Sequence, residues 1–215
     1  MFVIRGTTVS AEHVSGRAEP LNLKRFIYEL DVPVIVGGCA TYTAALHLMR
    51  TGAAGVLVGF GGGATHTTRT TLGIHAPMAT AIADVSAARR DYMDESGGRY
   101  VHVIADGGIA HSGDLAKAIA CGADAVMLGE QLTEVADSPG HGLYWTSSAA
   151  HPSLPRSEVT GFGGPGDGDL ETVLFGPASS ATGSVNLFGA LRRAMAKTGY
   201  SDLKEFQRVG LTVRI

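Results

Sequence analysis

The stretch Val103-Ile104-Ala105-Asp106-Gly107-Gly108, continued by Ser112-Gly113-Asp114-Leu115-Ala116-Lys117-Ala118-Ile119-Ala120 and closed by Ala125-Val126-Met127-Leu128-Gly129, decides the fold. A short apolar run ends in a polar glycine turn, an amphipathic stretch follows, and a second apolar run returns to glycine. Apolar runs without in-and-out alternation fit strands covered on both faces, as in a parallel sheet. Ser112 is placed to cap a helix that carries Leu115, Ala116, Ile119 and Ala120 on one face and is stopped by Gly122.

The same unit recurs towards the N-terminus. Phe2-Val3-Ile4 precedes Arg5-Gly6, Val34-Ile35-Val36 precedes Gly37-Gly38, and Val56-Leu57-Val58 precedes Gly59. Gly37 and Gly59 are separated by the same interval as Gly107 and Gly129, which predicts repeated βα units. Ala44, Ala45, Leu48 and Met49 form a helix face before Gly52. Pro77 opens a further helix, with Ala81, Ile82 and Val85 on one face, that runs towards Ser96-Gly97-Gly98. Five buried parallel strands alternating with helices fit either a (β/α)8 barrel or a doubly wound sheet. A complete barrel takes eight strands and about 250 residues, so a barrel here is an incomplete one of about five βα units.

After the fifth strand the pattern changes. From Glu130 to Thr182 the chain turns to Ser, Pro, Gly and His, with only brief apolar pieces such as Thr172 to Phe175, and reads as a loop or lid insertion over 130–182. A last helix carries Leu187, Phe188, Leu191 and Met195 before Gly199, and a helical turn from Asp202 to Phe206 leads to Leu211-Thr212-Val213. The whole of 1–215 is read as one partial barrel domain.

Composition limits the partners. The 215 residues are 45% hydrophobic and 17% charged, enough apolar material for a core and too much for disorder. Thirty glycines are about twice the usual share of ~7% and suit many strand-to-loop turns. A net charge of −3 gives no electrostatic footprint for nucleic acid or an anionic membrane, so the expected partner is a small molecule. Cys39 and Cys121 make no disulfide framework and suit a reducing cytoplasm. The uncharged run from Val32 to Met49 contains Pro33, Gly37, Gly38 and His47, and reads as a strand and a helix rather than a span. The eight histidines show neither H-E-x-x-H nor a compact Cys/His cluster, which argues against zinc. Met1 stands directly before Phe2-Val3-Ile4, inside an apolar run; this start predicts three further strands upstream and self-association of the 215 residues alone.

Gly59-Phe60-Gly61-Gly62-Gly63-Ala64 matches G-x-G-x-x-A, the dinucleotide fingerprint. However, Thr65-His66-Thr67-Thr68-Arg69-Thr70-Thr71 behind it has no helix signature, and no acid follows at the required spacing. Such a glycine turn can instead hold an anion on its amides or a monovalent cation on its carbonyls. Taken with Thr80-Ala81-Ile82-Ala83-Asp84, Ile104-Ala105-Asp106-Gly107-Gly108-Ile109, the Ser112 to Ala118 block, and Gly189-Ala190-Leu191-Arg192 through Gly199 to Val213-Arg214-Ile215, the glycine stretch resembles the C-terminal half of the IMP dehydrogenase/GMP reductase barrel.

The resemblance implies a TIM-barrel oxidoreductase of guanine nucleotide metabolism. A loop cysteine attacks C2 of the purine, and hydride passes to NAD or NADP, with a potassium ion on the carbonyls of the cysteine loop. It implies that Asp106 holds the ribose hydroxyls and that Gly107, Gly108 and Gly129 let backbone approach the phosphate. It also places Gly59 on the cofactor side, and assigns the carbonyls of Gly61, Gly63 and His66 to the potassium ion. The expected assembly is a cytoplasmic homo-oligomer.

Several positions depart from that family's pattern. His66 stands at the nucleophilic cysteine, with Thr68 beside it; an imidazole near its ordinary pKa of ~6.5 can activate water but substitutes poorly for a thiolate in a covalent cycle. The alternative for His66 is a hydrogen-bonded loop histidine without a chemical task. Ala64 replaces a phosphate-binding serine, Glu130 follows Gly129 where a second serine is expected, and Arg5 stands where a strand-end aspartate meets the cofactor ribose. Cys39, at a strand end before a helix, is weighed as a relocated nucleophile against a small buried residue. Tyr144-Trp145 can stack on a base or cover the barrel. Two functions follow: an IMP dehydrogenase/GMP reductase-like, NAD(P)-dependent oxidoreductase lacking the usual cysteine, or a catalytically impaired purine-nucleotide-binding or regulatory barrel.

Overall fold

The computed structural model describes residues 1–6, 21–60, 62–63, 69–70, 73–133, 135–140, 142–144, 160–161 and 168–212. In chain order these hold β1 (Phe2–Arg5), α1 (Leu23–Glu29), β2 (Val34–Cys39), α2 (Tyr42–Arg50), β3 (Gly55–Val58), α3 (Met78–Glu95), β4 (His102–Asp106), α4 (Ser112–Ala120) and β5 (Ala125–Met127). A 3-10 turn (Glu130–Leu132), an antiparallel ribbon of β6 (Leu143–Tyr144) with β7 (Thr160–Gly161), α5 (Leu170–Phe175), α6 (Leu187–Lys197) and α7 (Leu203–Phe206) follow.

All five predicted strands form, and they pair in parallel in the order β1-β2-β3-β4-β5. Strand order settles what periodicity left open. A doubly wound sheet reverses direction at a switch point, whereas this one advances by one strand per βα unit, the winding of a barrel wall. It is a partial (β/α) barrel.

Alternate strand residues Val34, Val36, Val56, Val58, Val103 and Ala105 are buried against the helices, together with Leu48 and Met49 of α2, Ile82 and Val85 of α3, and Leu115 and Ile119 of α4. Fully burying each such large side chain contributes about 1.5–3 kcal/mol. On the other face of the sheet Leu57 is also fully buried, and a Cβ on Gly37 would lie 2.5 Å from the Leu57 Cβ, so the glycine makes room for that leucine. The expectation of five buried strands holds only in the middle. Phe2 and Val3 of β1 are about half exposed, and Ala125 and Met127 of β5 are exposed, because among the described residues each of these strands has a neighbour on one side alone.

Helix starts follow local chemistry. Thr41 Oγ1 accepts from the Ala44 amide to cap α2, and Asn22 accepts from the Arg25 amide to cap α1. In α4 the cap position is His111 rather than Ser112. The Asp114 carboxylate reaches back to accept from the His111 and Ala110 amides at 3.1 and 3.3 Å, and it pairs with Lys117 at 2.8 Å. The sequence read over 130–182 as loop also contains regular structure. Asp169 caps α5 through the Thr172 amide, and Phe175 of that helix packs its ring on Phe188 of α6 with centroids 5.4 Å apart.

Candidate functional site

The C-terminal ends of β1, β3, β4 and β5 deliver Arg5, Gly59, Asp106 to Gly108, and Gly129 to one end of the sheet. On a flat sheet β1 and β4 would stand three strand spacings, about 14 Å, apart. Even so, Arg5 Nε lies 2.8 Å from Asp106 Oδ2, so the sheet curves until these ends face one another across the mouth of the barrel wall. The Asp106 side chain is only 6% exposed, while that of Arg5 is 46% exposed. Despite the ionic contact, Asp106 Oδ2 receives no hydrogen bond, because the Nε–H is not aligned on it. A buried carboxylate oxygen without a donor is costly unless a ligand supplies one.

The loops around this carboxylate are built on backbone contact. Gly107 and Gly108 have φ of +110° and +70°, conformations that side chains rarely adopt, and they let the chain turn directly after Asp106. Gly62 packs on them, with a position for Cβ only 3.1 Å from the Gly108 amide nitrogen. Gln131 ties the loops after β4 and β5 together, donating to the Ile109 carbonyl and accepting from the Gly129 amide at 3.4 Å.

Tyr144 is the site residue whose place the sequence left undecided. Its hydroxyl lies 3.1 Å from where a Cβ of Gly129 would stand, and the ribbon strand β6 carries it over the end of β5. Burial pushes its phenol up from the ordinary value. The Glu130 and Asp106 carboxylates push the same way and Arg5 opposes them, so all four groups share one electrostatic neighbourhood. A cleft of about 300 Å³ runs beside it, lined by Gly129, Leu132, Pro139, Leu143 and Tyr144. A larger groove, about 820 Å³, lies at the opposite end of the strands among Val32, Pro33, Ala54 and α1, away from the described candidate residues. The signal for Tyr144 was present as an aromatic in a polar segment, but its partners lie elsewhere in the chain.

Of the sequence candidates, Asp106, Gly107, Gly108, Gly129 and Gly59 gather at this mouth, and Gly63 is half-buried in the loop after β3. His66, Thr68, Gly61, Ala64 and Trp145 lie outside the described residues. Among the described residues no group of three or more His, Cys, Asp or Glu side chains could hold a metal ion. Also among them, no helix is long and apolar enough to cross a membrane.

Cys39 is placed as a small packing residue. It is buried, its Sγ donates to the Leu57 carbonyl at 3.5 Å, and burial pushes its thiol up to about 12. Burial also raises the Cys121 thiol, with Lys117 opposing. At pH 8 Cys39 should react with a disulfide reagent about three orders of magnitude more slowly than free cysteine, and nucleotide should not change the rate. A free-thiol rate slowed by nucleotide would restore it as a nucleophile.

A parallel wall of βα units with glycine-built loops at its strand ends defines a partial (β/α) barrel protein. The chain belongs to the IMP dehydrogenase / GMP reductase family, whose domain model matches residues 9–151. It is 61% identical over 214 residues to an uncharacterized oxidoreductase of Mycolicibacterium smegmatis, covering 99% of this chain and 57% of that protein. It is 34% identical over 220 residues to the inosine-5'-monophosphate dehydrogenase of Thermoplasma acidophilum, covering 96% of this chain and 44% of that one. Among solved structures, an IMP dehydrogenase/GMP reductase-like protein from Corynebacterium glutamicum superposes with a TM-score of 0.89 at 55% identity, over 99% of this chain and 54% of that chain. The chain thus spans about half the length of these relatives, from 44% to 57%.

Proposed function

We propose that the mouth of this barrel binds a purine nucleotide and that the protein acts on its base as an oxidoreductase of guanine nucleotide metabolism. The observation that carries the proposal is the buried Asp106 Oδ2, an acceptor without a donor, set beside the backbone turn of Gly107 and Gly108. In this proposal Asp106 accepts from the ribose hydroxyls, and the backbone of Gly107, Gly108 and Gly129 approaches the phosphate. His66 and Thr68 stand at the reacting carbon, where neutral imidazole takes a proton from water. The carbonyls of Gly61, Gly63 and His66 are the proposed seat of a potassium ion. Family membership supports NAD or NADP as the hydride carrier, and a homo-oligomer as the working form. The end of β1 does not fit the ribose of that cofactor, because Arg5 presents a guanidinium there and spends it on Asp106.

A second reading, a nucleotide-binding or regulatory barrel without the redox step, is favoured by the cysteines. These residues contain only two, and neither is an activated thiol.

Calorimetry with IMP and GMP, followed by NADH formation from IMP and NADPH consumption with GMP under potassium, tests both. Saturable binding with turnover is the outcome expected of the oxidoreductase. Binding without turnover, with turnover gained in His66→Cys, places the lost step at the nucleophile. Binding without turnover in either protein supports the second reading, and no binding of either nucleotide sinks the purine proposal.

A further inference from the structure

We infer that Arg5 is a specificity-determining residue that competes with ligand hydroxyls for Asp106, so that the mouth discriminates weakly between sugars with and without vicinal hydroxyls. The inference rests on the purine-nucleotide reading of Asp106.

Three observations carry it. Asp106 Oδ2 is sealed from solvent, and its 2.8 Å neighbour is Arg5 Nε. That contact is ionic without being a hydrogen bond, so the oxygen keeps its lone pairs for a better-aligned donor. Arg5 itself is nearly half exposed, which leaves its long side chain room to swing outwards. A sugar hydroxyl reaches Oδ2 only when the guanidinium leaves. Every hydroxyl bond formed to that oxygen is therefore offset by the ion pair it breaks. The other charged group of the neighbourhood, Glu130, is a carboxylate and cannot take Arg5's place over Asp106.

The ratio of the Kd of 2′,3′-dideoxy-IMP to that of IMP isolates this exchange, since base and phosphate contacts cancel between the two. In the wild type the ratio should stay within about threefold. In Arg5→Met it should rise at least about tenfold, as in sites whose polar groups are open to a substrate hydroxyl. Removing Arg5 leaves a buried charge behind and can weaken the fold, so a measurement on the unaltered protein stands beside it. Raising the ionic strength from about 0.05 to about 0.5 M with choline chloride at constant potassium weakens a pair whose guanidinium is half exposed, and the same ratio should climb with salt. A ratio that is unchanged or lower in Arg5→Met, and flat in salt, overturns the competition and leaves nucleotide binding intact. If neither nucleotide binds either protein, the purine reading falls and this inference falls with it.

Discussion

Replacing Asp124 by alanine is expected to lower the unfolding free energy by about 3–5 kcal/mol, which at this chain length moves the thermal midpoint down by about 10 °C. Asp124 stands just before β5, at the N-terminal end of the sheet, opposite the candidate site. Its Oδ2 lies 2.6 Å from Arg89 Nη1 and accepts from the Val103 amide at 2.9 Å. Its Oδ1 accepts from the Tyr100 hydroxyl and Lys204 Nζ, both at 2.5 Å, and from Gln207 Nε2 at 3.2 Å. Arg89 and Asp124 are 7% and 9% exposed, so deleting the carboxylate strands a buried guanidinium beside a second cation. Lys204 is 57% exposed, and Lys204→Met should therefore cost under about 1 kcal/mol. Burial pushes the Asp124 carboxyl up, but Lys204, Tyr100, the Val103 amide and Arg89 together hold it at about 2 against an ordinary 3.8. A carboxyl lowered in the folded chain stabilises fully above its ordinary value and loses that contribution as pH falls towards 2. The wild type should lose this increment between roughly pH 5 and pH 2. Asp124→Asn should start lower and show a shallower acid limb in urea denaturation followed by circular dichroism. An Asp124→Ala protein as stable as the wild type would refute the assignment.

That network also marks the limit of what residue order can say. Val34 to Val36, Val56 to Val58 and the Asp106-Gly107-Gly108 turn were legible because a buried parallel strand and its exit are written in consecutive residues. The helices were legible from one-face spacing, although the cap of α4 moved to His111 because Asp114 reaches back over the first turn. Barrel against doubly wound sheet was not legible in the repeat pattern, since both repeat the same βα unit and differ only in which strands pair, and the family resemblance alone pointed to the barrel. Asp124 drew no attention as a single acid between alanines. Its five partners come from α3, the approach to β4, β4 itself, α7 and the residue after α7, and no spacing rule links them. The Arg5 to Asp106 contact is of the same kind: resemblance flagged each residue separately, and only the curvature of the sheet makes them a pair.

Gly59→Ala is expected to destabilise the chain by about 3 kcal/mol or more and to displace Asp106 with it. Gly59 ends β3 with φ of +114°, and a Cβ there would lie 2.5 Å from Met78 Sδ and 2.6 Å from the Asp106 carbonyl oxygen. Met78 is a flexible side chain that can move aside, whereas the Asp106 carbonyl belongs to the backbone that fixes the candidate acceptor. Relief therefore shifts the end of β4, and nucleotide affinity should fall along with stability. Gly97→Ala separates the two contributions. Its φ is +72° and nothing lies within 4 Å of the added carbon, so it carries backbone strain alone, about 1 kcal/mol, with no effect on the site. If the two variants lose equal stability in chemical denaturation, the close approach at Gly59 is relieved at no cost and the link to Asp106 is wrong. If Gly59→Ala loses the larger amount, the first glycine of the G-x-G-x-x-A match has a steric task. It lets the loop after β3 lie on the backbone of Asp106, which a dinucleotide fingerprint does not require.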